Sequence, residues 1–216
     1  MINKILLKIF NLPVIVRTRF YPRFNRLLFR LKGVTFGRDM IILGKIGVVG
    51  NGEIRIGEYF HMTSGNHVNP ISGNDEASWL VEQSAKLTIG NNVGMSSTRV
   101  WTHDAVTIGN NVQIGANVLI IDTDTHQLDY RLRRNPDDAF FSGLSNSEIW
   151  QKKSDGTKSS PVYIEDDVWI GAHSIILKGV TIGARSIIGA GSVVTKSIPA
   201  DSIAAGNPCK VIRKII

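Results

Sequence analysis

The sequence predicts an all-β protein, a parallel β-helix of about six coils preceded by a short helix and broken by one long loop. Aliphatic residues recur at every sixth position in several stretches of the 216-residue chain, with small residues, glycine and asparagine between them. The most regular run is Ile164, Ile170, Ile176, Ile182, Ile188 and Val194. The same spacing holds at Phe36, Ile42, Val48 and Ile54, and again at Ile108, Ile114 and Ile120.

This six-residue spacing excludes both an α-helix and a single long strand. In a helix each residue turns by about 100°, so every sixth residue would point in a new direction and no apolar face would form. In an extended chain a step of six keeps one face, but strands usually span only about 3–10 residues. Short strands joined by tight turns satisfy both limits, and stacked three-strand coils bury the aliphatic positions in one column. The turns are supplied by "IGNN" at 89–92 and 108–111, because asparagine and glycine tolerate positive φ.

The composition is that of a folded protein, with 43% hydrophobic and 20% charged residues. Cys209 is the single cysteine, which excludes an internal disulfide and a thiolate zinc cluster and predicts a cytoplasmic location. The formal charge of +7 is local: residues 1–32 hold eight basic side chains and no acid, so the rest carries seventeen bases against eighteen acids. A neutral body argues against a nucleic-acid partner, and no apolar run approaches the roughly 20 residues of a membrane span.

Residues 1–32 predict a basic amphipathic helical segment in front of a β-helix domain at 33–216. An apolar stripe at helical spacing is formed by Phe20, Phe24, Leu27, Leu28 and Leu31. A second stripe is formed by Arg19, Arg23, Arg26 and Arg30. Two interpretations remain open and are compatible: the helix caps the first coil, or it lies on anionic lipid as a peripheral contact at the inner membrane face.

Two segments break the spacing, residues 69–86 and the long excursion 127–161. Loops longer than about 12–15 residues are usually functional or disordered. The excursion follows His126, which stands where the next aliphatic residue of the series should be. This position predicts that the chain leaves the coil there and that the imidazole faces a cleft; a buried or merely solvated turn histidine is the alternative.

The motifs "VTIGNNVQIGANVLIIDTDTHQLDYRLR" (106–133) and "AAGNPCKVIRK" (204–214) closely resemble the left-handed β-helix hexapeptide acyltransferases, in particular sugar and polysaccharide O-acetyltransferases. The left hand of the coil is implied by this resemblance only. The resemblance also implies acetyl-CoA as acyl donor, a sugar or glycan hydroxyl as acceptor, and a homotrimer whose active sites lie between neighbouring prisms.

The resemblance further implies which residues form the site. His126 would be the general base, with Asp124 as its preferred partner and Asp122 or Asp129 as the alternatives, and Ser97 falls where the galactoside enzymes have an acceptor-orienting asparagine. The coenzyme would lie near Trp169, Ala172, Ala190, Thr195, Lys196, Lys210 and Arg213. An imidazole suits the base because its ordinary pKa is about 6.5, and such catalysis contributes roughly 10²–10⁴ in rate.

Three other functions are alternatives to this interpretation. The main alternative is an N-acetyltransferase acting on a nucleotide-linked amino sugar or another small acceptor. A zinc carbonic anhydrase of the same fold needs three converging imidazoles, and no metal site is expected here. A non-catalytic binding module is the last alternative. Among the remaining histidines, His103 could reach the cleft, His173 is expected in a surface turn, and His61 and His67 are expected on adjacent faces.

Overall fold

The computed structural model describes residues 16–65, 68–134, 143 and 156–215. These residues form a three-sided prism of parallel strands with six complete coils and part of a seventh. Face A contains β1 (Thr35–Phe36), β4 (Glu53–Ile56), β7 (Lys86–Ile89), β10 (Ala105–Ile108), β13 (Val162–Ile164) and β16 (Thr181–Ile182). Face B contains β2 (Ile41–Leu43), β5 (His61–Thr63), β8 (Gly94–Ser96), β11 (Gln113–Ala116), β14 (Trp169–Ile170), β17 (Ile187–Ile188), β19 (Ser202–Ala205) and β20 (Lys210–Lys214). Face C contains β3 (Ile46–Val49), β6 (Ala77–Val81), β9 (Arg99–Thr102), β12 (Leu119–Ile121), β15 (Ile175–Ile176) and β18 (Val193–Val194).

The predicted aliphatic positions form the core. In face B, Ile114, Ile170 and Ile188 are successive register partners, and all three are buried. The parallel register repeats this arrangement in each face, so aliphatic side chains of one coil pack on those of the next. Among the strands that the structure describes, β20 alone departs from it, because it pairs antiparallel with β19 at the edge of face B.

The three edges of the prism are called corner AB, corner BC and corner CA after the faces they join. At corner AB a ladder of polar side chains connects the coils: the backbone N–H of Asn91 donates to Asn110 Oδ1 at 2.9 Å, and the backbone N–H of Asn110 donates to Asp166 Oδ1 at 2.7 Å. Asn92 and Asn111 adopt φ of 54° and 57°. The "IGNN" motifs are therefore the turns that the sequence predicts.

The first interruption is shorter than predicted. The chain leaves the prism after β5 at corner BC and includes a 3₁₀ turn (Pro70–Ser72), but it returns to the prism with β6 at Ala77. Residues 77–81 form the last strand of the second coil and Lys86 begins the third, so the assignment of 77–86 to the break at 69–86 is wrong. The six-residue spacing misses them because the segment before β6 shifts the register: Trp79 pairs with Val48, which lies 31 residues earlier and so is not a multiple of six away. β6 buries Ala77, Trp79 and Val81, with the indole in the core against Phe60.

The N-terminal helix packs on the first coil with a different face from the apolar stripe. A π-helical turn (Val16–Phe20) leads into α1 (Tyr21–Leu31), which buries Asn25 and Phe29. The Asn25 amide donates to the carbonyls of Ile42 (3.2 Å) and Gly44 (2.8 Å), which lie in and just after β2. Four of the five residues of the stripe are exposed: Phe20, Phe24, Leu27 and Leu31. Among the described helices none is long and apolar enough to cross a membrane.

Candidate active site

Corner CA carries a column of polar side chains directly after three consecutive strands of face C. Glu82 follows β6, His103 lies just after β9, and Asp122 follows β12. The Asp122 carboxylate is buried and accepts hydrogen bonds from the Thr102 hydroxyl (2.5 Å) and from the backbone N–H groups of His103 (2.7 Å) and Asp104 (2.9 Å). Burial raises the pKa of Asp122, while these three hydrogen bonds oppose the shift. Asp122 therefore holds the backbone of this corner and is not a partner for His126.

Glu82 and His103 form a second polar contact in the same column. The Glu82 carboxylate is buried, and its oxygens lie 2.7 Å from Trp101 Nε1 and 2.9 Å from His103 Nδ1. The sequence prediction missed Glu82 because it was placed in the first interruption. The alternation of buried residues at 77, 79 and 81 is the signal that would have placed it at the end of a strand.

The long excursion leaves the prism at this corner, after Asp122. Its two arms start as an antiparallel pair, in which Asp124 N–H donates to Lys158 O (3.0 Å) and Ser160 N–H donates to Asp122 O (2.8 Å). The excursion therefore begins a few residues before the predicted position 127. A short helix, α2 (Tyr130–Arg133), follows in the first arm.

His126 lies at the base of this first arm and is exposed, as its place in the sequence predicts. Its backbone N–H donates to the Asp124 carbonyl at 2.7 Å, but its ring makes no hydrogen bond to the described residues. The expected pair with the Asp124 carboxylate is not formed in the single chain, because Asp124 Oδ2 binds Lys178 Nζ at 2.6 Å. Asp129 instead caps α2 and binds Arg131, which lowers the pKa of the Asp129 carboxyl.

Ser97 lies at corner BC and is fully buried, with φ of 45°. Its hydroxyl has no hydrogen-bond partner among the described residues, and the same holds for Thr98 Oγ1 and Asn117 Oδ1 at this corner. The segment that leaves the prism here covers the corner, because Asn69 Nδ2 donates to Ser96 Oγ at 2.8 Å. Ser97 therefore does not line an open cleft in the single chain, contrary to its expected contact with the acceptor.

The residues expected to bind the coenzyme occupy two separate regions. Trp169 projects from face B with 55% of its surface exposed, and Ala172 and Ala190 lie at corner BC. Thr195 and Lys196 are exposed at corner CA, beyond β18. The exposed basic residues Lys210 and Arg213 belong to β20, at the edge of face B. Face C separates corner CA, with His126, from corner BC, so one chain does not bring the two groups together.

The other histidines have separate positions. His61 is exposed on face B, where its ring lies over Gly94. His173 occupies an exposed turn at corner BC with φ of 60°, as predicted. His67 lies outside the described residues. Within the described ranges no group of three or more histidine, cysteine or acidic side chains could hold a metal ion.

Known proteins are similar to this chain in sequence and in fold. The profile of the bacterial transferase hexapeptide family (six repeats) matches residues 161–196. An acetyltransferase of Staphylococcus aureus strain Mu50 is 34% identical over 153 residues, which cover 69% of this chain and 75% of the relative. The chain belongs to the hexapeptide-repeat acetyltransferases. The resemblance predicted from the motifs is thus confirmed, as are the left-handed β-helix and an acyltransferase activity.

Other proteins similar to this chain differ in the substrates that their names give. The galactoside O-acetyltransferase of Escherichia coli is 44% identical over 110 residues, which are 51% of this chain and 44% of that enzyme. Among solved structures, AntD, an N-acyltransferase from Bacillus cereus in complex with dTDP-4-amino-4,6-dideoxyglucose and coenzyme A, aligns with a TM-score of 0.60 at 21% identity, covering 88% of each chain. The polysialic-acid-specific acetyltransferase NeuO aligns with a TM-score of 0.52 at 22% identity, covering 85% of this chain and 86% of that chain. These two structures show that the fold is shared.

Proposed function

We propose that the protein is an O-acetyltransferase that transfers the acetyl group of acetyl-CoA to a hydroxyl of a sugar in a surface polysaccharide or its precursor. The observation that carries the proposal is the exposed imidazole of His126, at the point where the excursion leaves corner CA of a hexapeptide-repeat prism. The galactoside O-acetyltransferase relative supports a sugar hydroxyl as the acceptor.

In this mechanism His126 takes the proton of the sugar hydroxyl as its oxygen attacks the thioester carbonyl. The new C–O bond forms, the C–S bond breaks, and the sulfur leaves as the coenzyme thiolate. The exposed cations of Lys196, Lys210 and Arg213 fit the phosphate groups of the donor, and the exposed Trp169 and the small side chains of Ala172 and Ala190 leave room for its pantetheine arm. Thr195 would border the same arm.

We propose that the two regions are brought together between neighbouring copies in a homotrimer. The outer surface of face C supports this, because the register aligns Val49, Leu80, Trp101 and Ile121 in one half-buried apolar row. Leu80→Glu would place a charge in that row and should yield monomers in analytical ultracentrifugation. The control Thr88→Glu, on exposed face A, should leave the assembly intact. Trimers that tolerate Leu80→Glu would refute the face C contact.

The activity test is thiol release from acetyl-CoA over a panel of methyl glycosides and lipid-linked glycans, with dTDP-4-amino-4,6-dideoxyglucose included. Release with a hydroxyl sugar supports O-acetylation, whereas release only with the amino sugar supports the N-acetyltransferase alternative. His126→Ala should lower kcat about a hundredfold or more without unfolding the protein. His173→Asn is the matched control, since asparagine tolerates its positive φ. Normal turnover in His126→Ala would reject His126 as the base.

We further propose that the N-terminal segment binds the inner membrane face peripherally. The exposed stripe of Phe20, Phe24, Leu27 and Leu31 supports this, and the first 38 residues contain no acid. The test is flotation with phosphatidylcholine vesicles with and without phosphatidylglycerol. The double variant Phe24→Glu/Leu27→Glu should lose flotation with the anionic vesicles, and Tyr59→Glu, an exposed control at corner AB, should retain it. Equal flotation of both variants would refute the membrane contact.

A further inference from the structure

Glu82 and His103 form a carboxylate–imidazole pair that no part of the proposed mechanism uses. The Glu82 side chain is 1% exposed and the His103 side chain is 24% exposed, so the carboxylate is enclosed while the imidazole reaches the surface. The pair lies at corner CA, two and one coils before the point where the excursion leaves the prism. The backbone N–H of His103 donates a 2.7 Å hydrogen bond to Asp122 Oδ1, which fixes the backbone at His103.

The partners of Glu82 determine which ring nitrogen of His103 carries the proton. The Trp101 indole can only donate, and it uses Glu82 Oε1. An ionised carboxylate can only accept hydrogen bonds, so the contact between Glu82 Oε2 and His103 Nδ1 requires a proton on Nδ1. In the neutral imidazole the other nitrogen, Nε2, then presents a lone pair, and it makes no hydrogen bond to the described residues. The site therefore offers a fixed hydrogen-bond acceptor to a ligand that carries an O–H or N–H group.

Trp101 extends this site onto face C. Its half-buried ring lines a groove of about 230 Å³ with Val49, Leu80 and Leu119, and Arg99 lies at the same groove. Val49, Leu80 and Trp101 also belong to the row proposed to contact the neighbouring copy, so the sugar would be held where the two copies meet. An aromatic wall beside a fixed polar acceptor suits a sugar, which has an apolar ring face and hydroxyl groups at its edge. Because Glu82 binds both Trp101 and His103, the carboxylate fixes the wall and the acceptor relative to each other.

We propose that Glu82, His103 and Trp101 form a binding site for the sugar substrate, in which His103 Nε2 accepts a hydrogen bond from a sugar hydroxyl. The inference rests on the proposed acyl transfer to a sugar and adds to it a second histidine with a separate role. His126 removes the proton of the reacting hydroxyl, whereas His103 orients the sugar through another hydroxyl.

Two substitutions separate this role from a structural one. His103→Asn keeps an amide N–H that can donate to Glu82 but removes the outward nitrogen. Glu82→Gln keeps the shape of the side chain but changes the tautomer: the amide oxygen must accept from Trp101, so its NH₂ faces His103 Nδ1 and the ring proton moves to Nε2. Both variants should raise the KM for the methyl glycoside turned over by the wild type about tenfold, the effect of one lost hydrogen bond, and leave the KM for acetyl-CoA unchanged. His173→Asn should change neither constant.

A chemical measurement tests the same site without turnover. Diethyl pyrocarbonate acts on a ring nitrogen with a free lone pair, so peptide mass spectrometry of the full-length protein should find His103 modified. The modification should slow at least fivefold in Glu82→Gln, and a methyl glycoside of the panel should protect His103 but not His173. A wild-type KM in His103→Asn, equal labelling in Glu82→Gln, or protection by no sugar would overturn the inference. Protection without thiol release would uphold the sugar site and reject only the proposed acyl transfer.

Discussion

Two neighbouring isoleucines of β2 test whether the six-residue spacing marks the core. Ile42 is 0% exposed and stacks on Met62 of the next coil, whereas Ile41 points outward and is 44% exposed. Replacement by alanine removes three carbon atoms at either position. At about 0.8 kcal/mol per buried CH₂, Ile42→Ala loses about 2.4 kcal/mol, and the cavity that remains adds to this. We expect a decrease of about 3–4 kcal/mol in the free energy of unfolding for Ile42→Ala and less than about 1 kcal/mol for Ile41→Ala.

Urea unfolding at fixed protein concentration measures the difference, because association also contributes to stability. Trp79, buried in the core beside Phe60, supplies a fluorescence signal for the core itself. A decrease of 3–4 kcal/mol would be a large part of the roughly 5–15 kcal/mol that stabilises a typical domain. Equal effects of the two substitutions, or a larger effect of Ile41→Ala, would refute the assignment of the repeat to the core.

Three further predictions follow from local contacts, and each is measured by urea or thermal unfolding. Gly115→Ala should lower the free energy of unfolding by about 1–3 kcal/mol, because the added Cβ would lie 2.6 Å from the Ala172 nitrogen. In the control Gly47→Ala the nearest atom would be 3.6 Å away, so the stability should not change. Equal stabilities of the two variants would contradict the close stacking of corner BC. Asn25→Ala should cost about 2–3 kcal/mol, since two buried carbonyls lose their donor, and an unchanged stability would show that the helix is not docked through this amide. Burial raises the pKa of Asp122 in the folded protein above its unfolded value of about 3.9. This shift contributes stability that is fully present below the unfolded pKa and is lost as the pH rises through the folded pKa. The stability of the wild type relative to Asp122→Asn should therefore fall as the pH rises through that interval, and a rise would contradict the prediction.

The coil could be predicted from the sequence because each coil buries equivalent positions against the next. The parallel register turns a spacing along the chain into a column in space, as Ile114, Ile170 and Ile188 show. The pattern fails at β6, because Trp79 fills the core there as the register partner of Val48, 31 residues earlier, and this separation is not a multiple of six. Glu82 was missed for the same reason, since its place at corner CA depends on recognising that strand.

The N-terminal helix shows a second limit of the pattern. Its apolar stripe predicts a buried face, but the helix docks through Asn25 and Phe29. The open end of the solenoid presents unpaired carbonyls, and the Asn25 amide satisfies two of them. The orientation of the helix on the first coil therefore depends on satisfying these buried backbone carbonyls. A hydrophobic pattern in the sequence contains no information about such hydrogen bonds.

The partner of Asp124 could not have been predicted from the local sequence. The expected partner was His126, two residues away, but the carboxylate binds Lys178, 54 residues further along the chain. Lys178 reaches Asp124 because the chain returns from the excursion to the same corner, where Asp124 N–H also binds Lys158 O. The position of the excursion could be predicted from the break in the spacing, whereas the contacts at its base depend on how its two arms pair.

Complementation between two inactive variants tests most directly whether the active site is built from two copies of the chain. His126→Ala would disable corner CA, and Ala190→Trp would fill the region of corner BC proposed for the donor. Each variant alone should release almost no thiol from acetyl-CoA. Mixed trimers from co-expression should recover about a quarter of wild-type activity, because that share of sites would combine two intact halves from different copies. No recovery in mixed trimers, with each variant folded and trimeric, would contradict a site shared between copies.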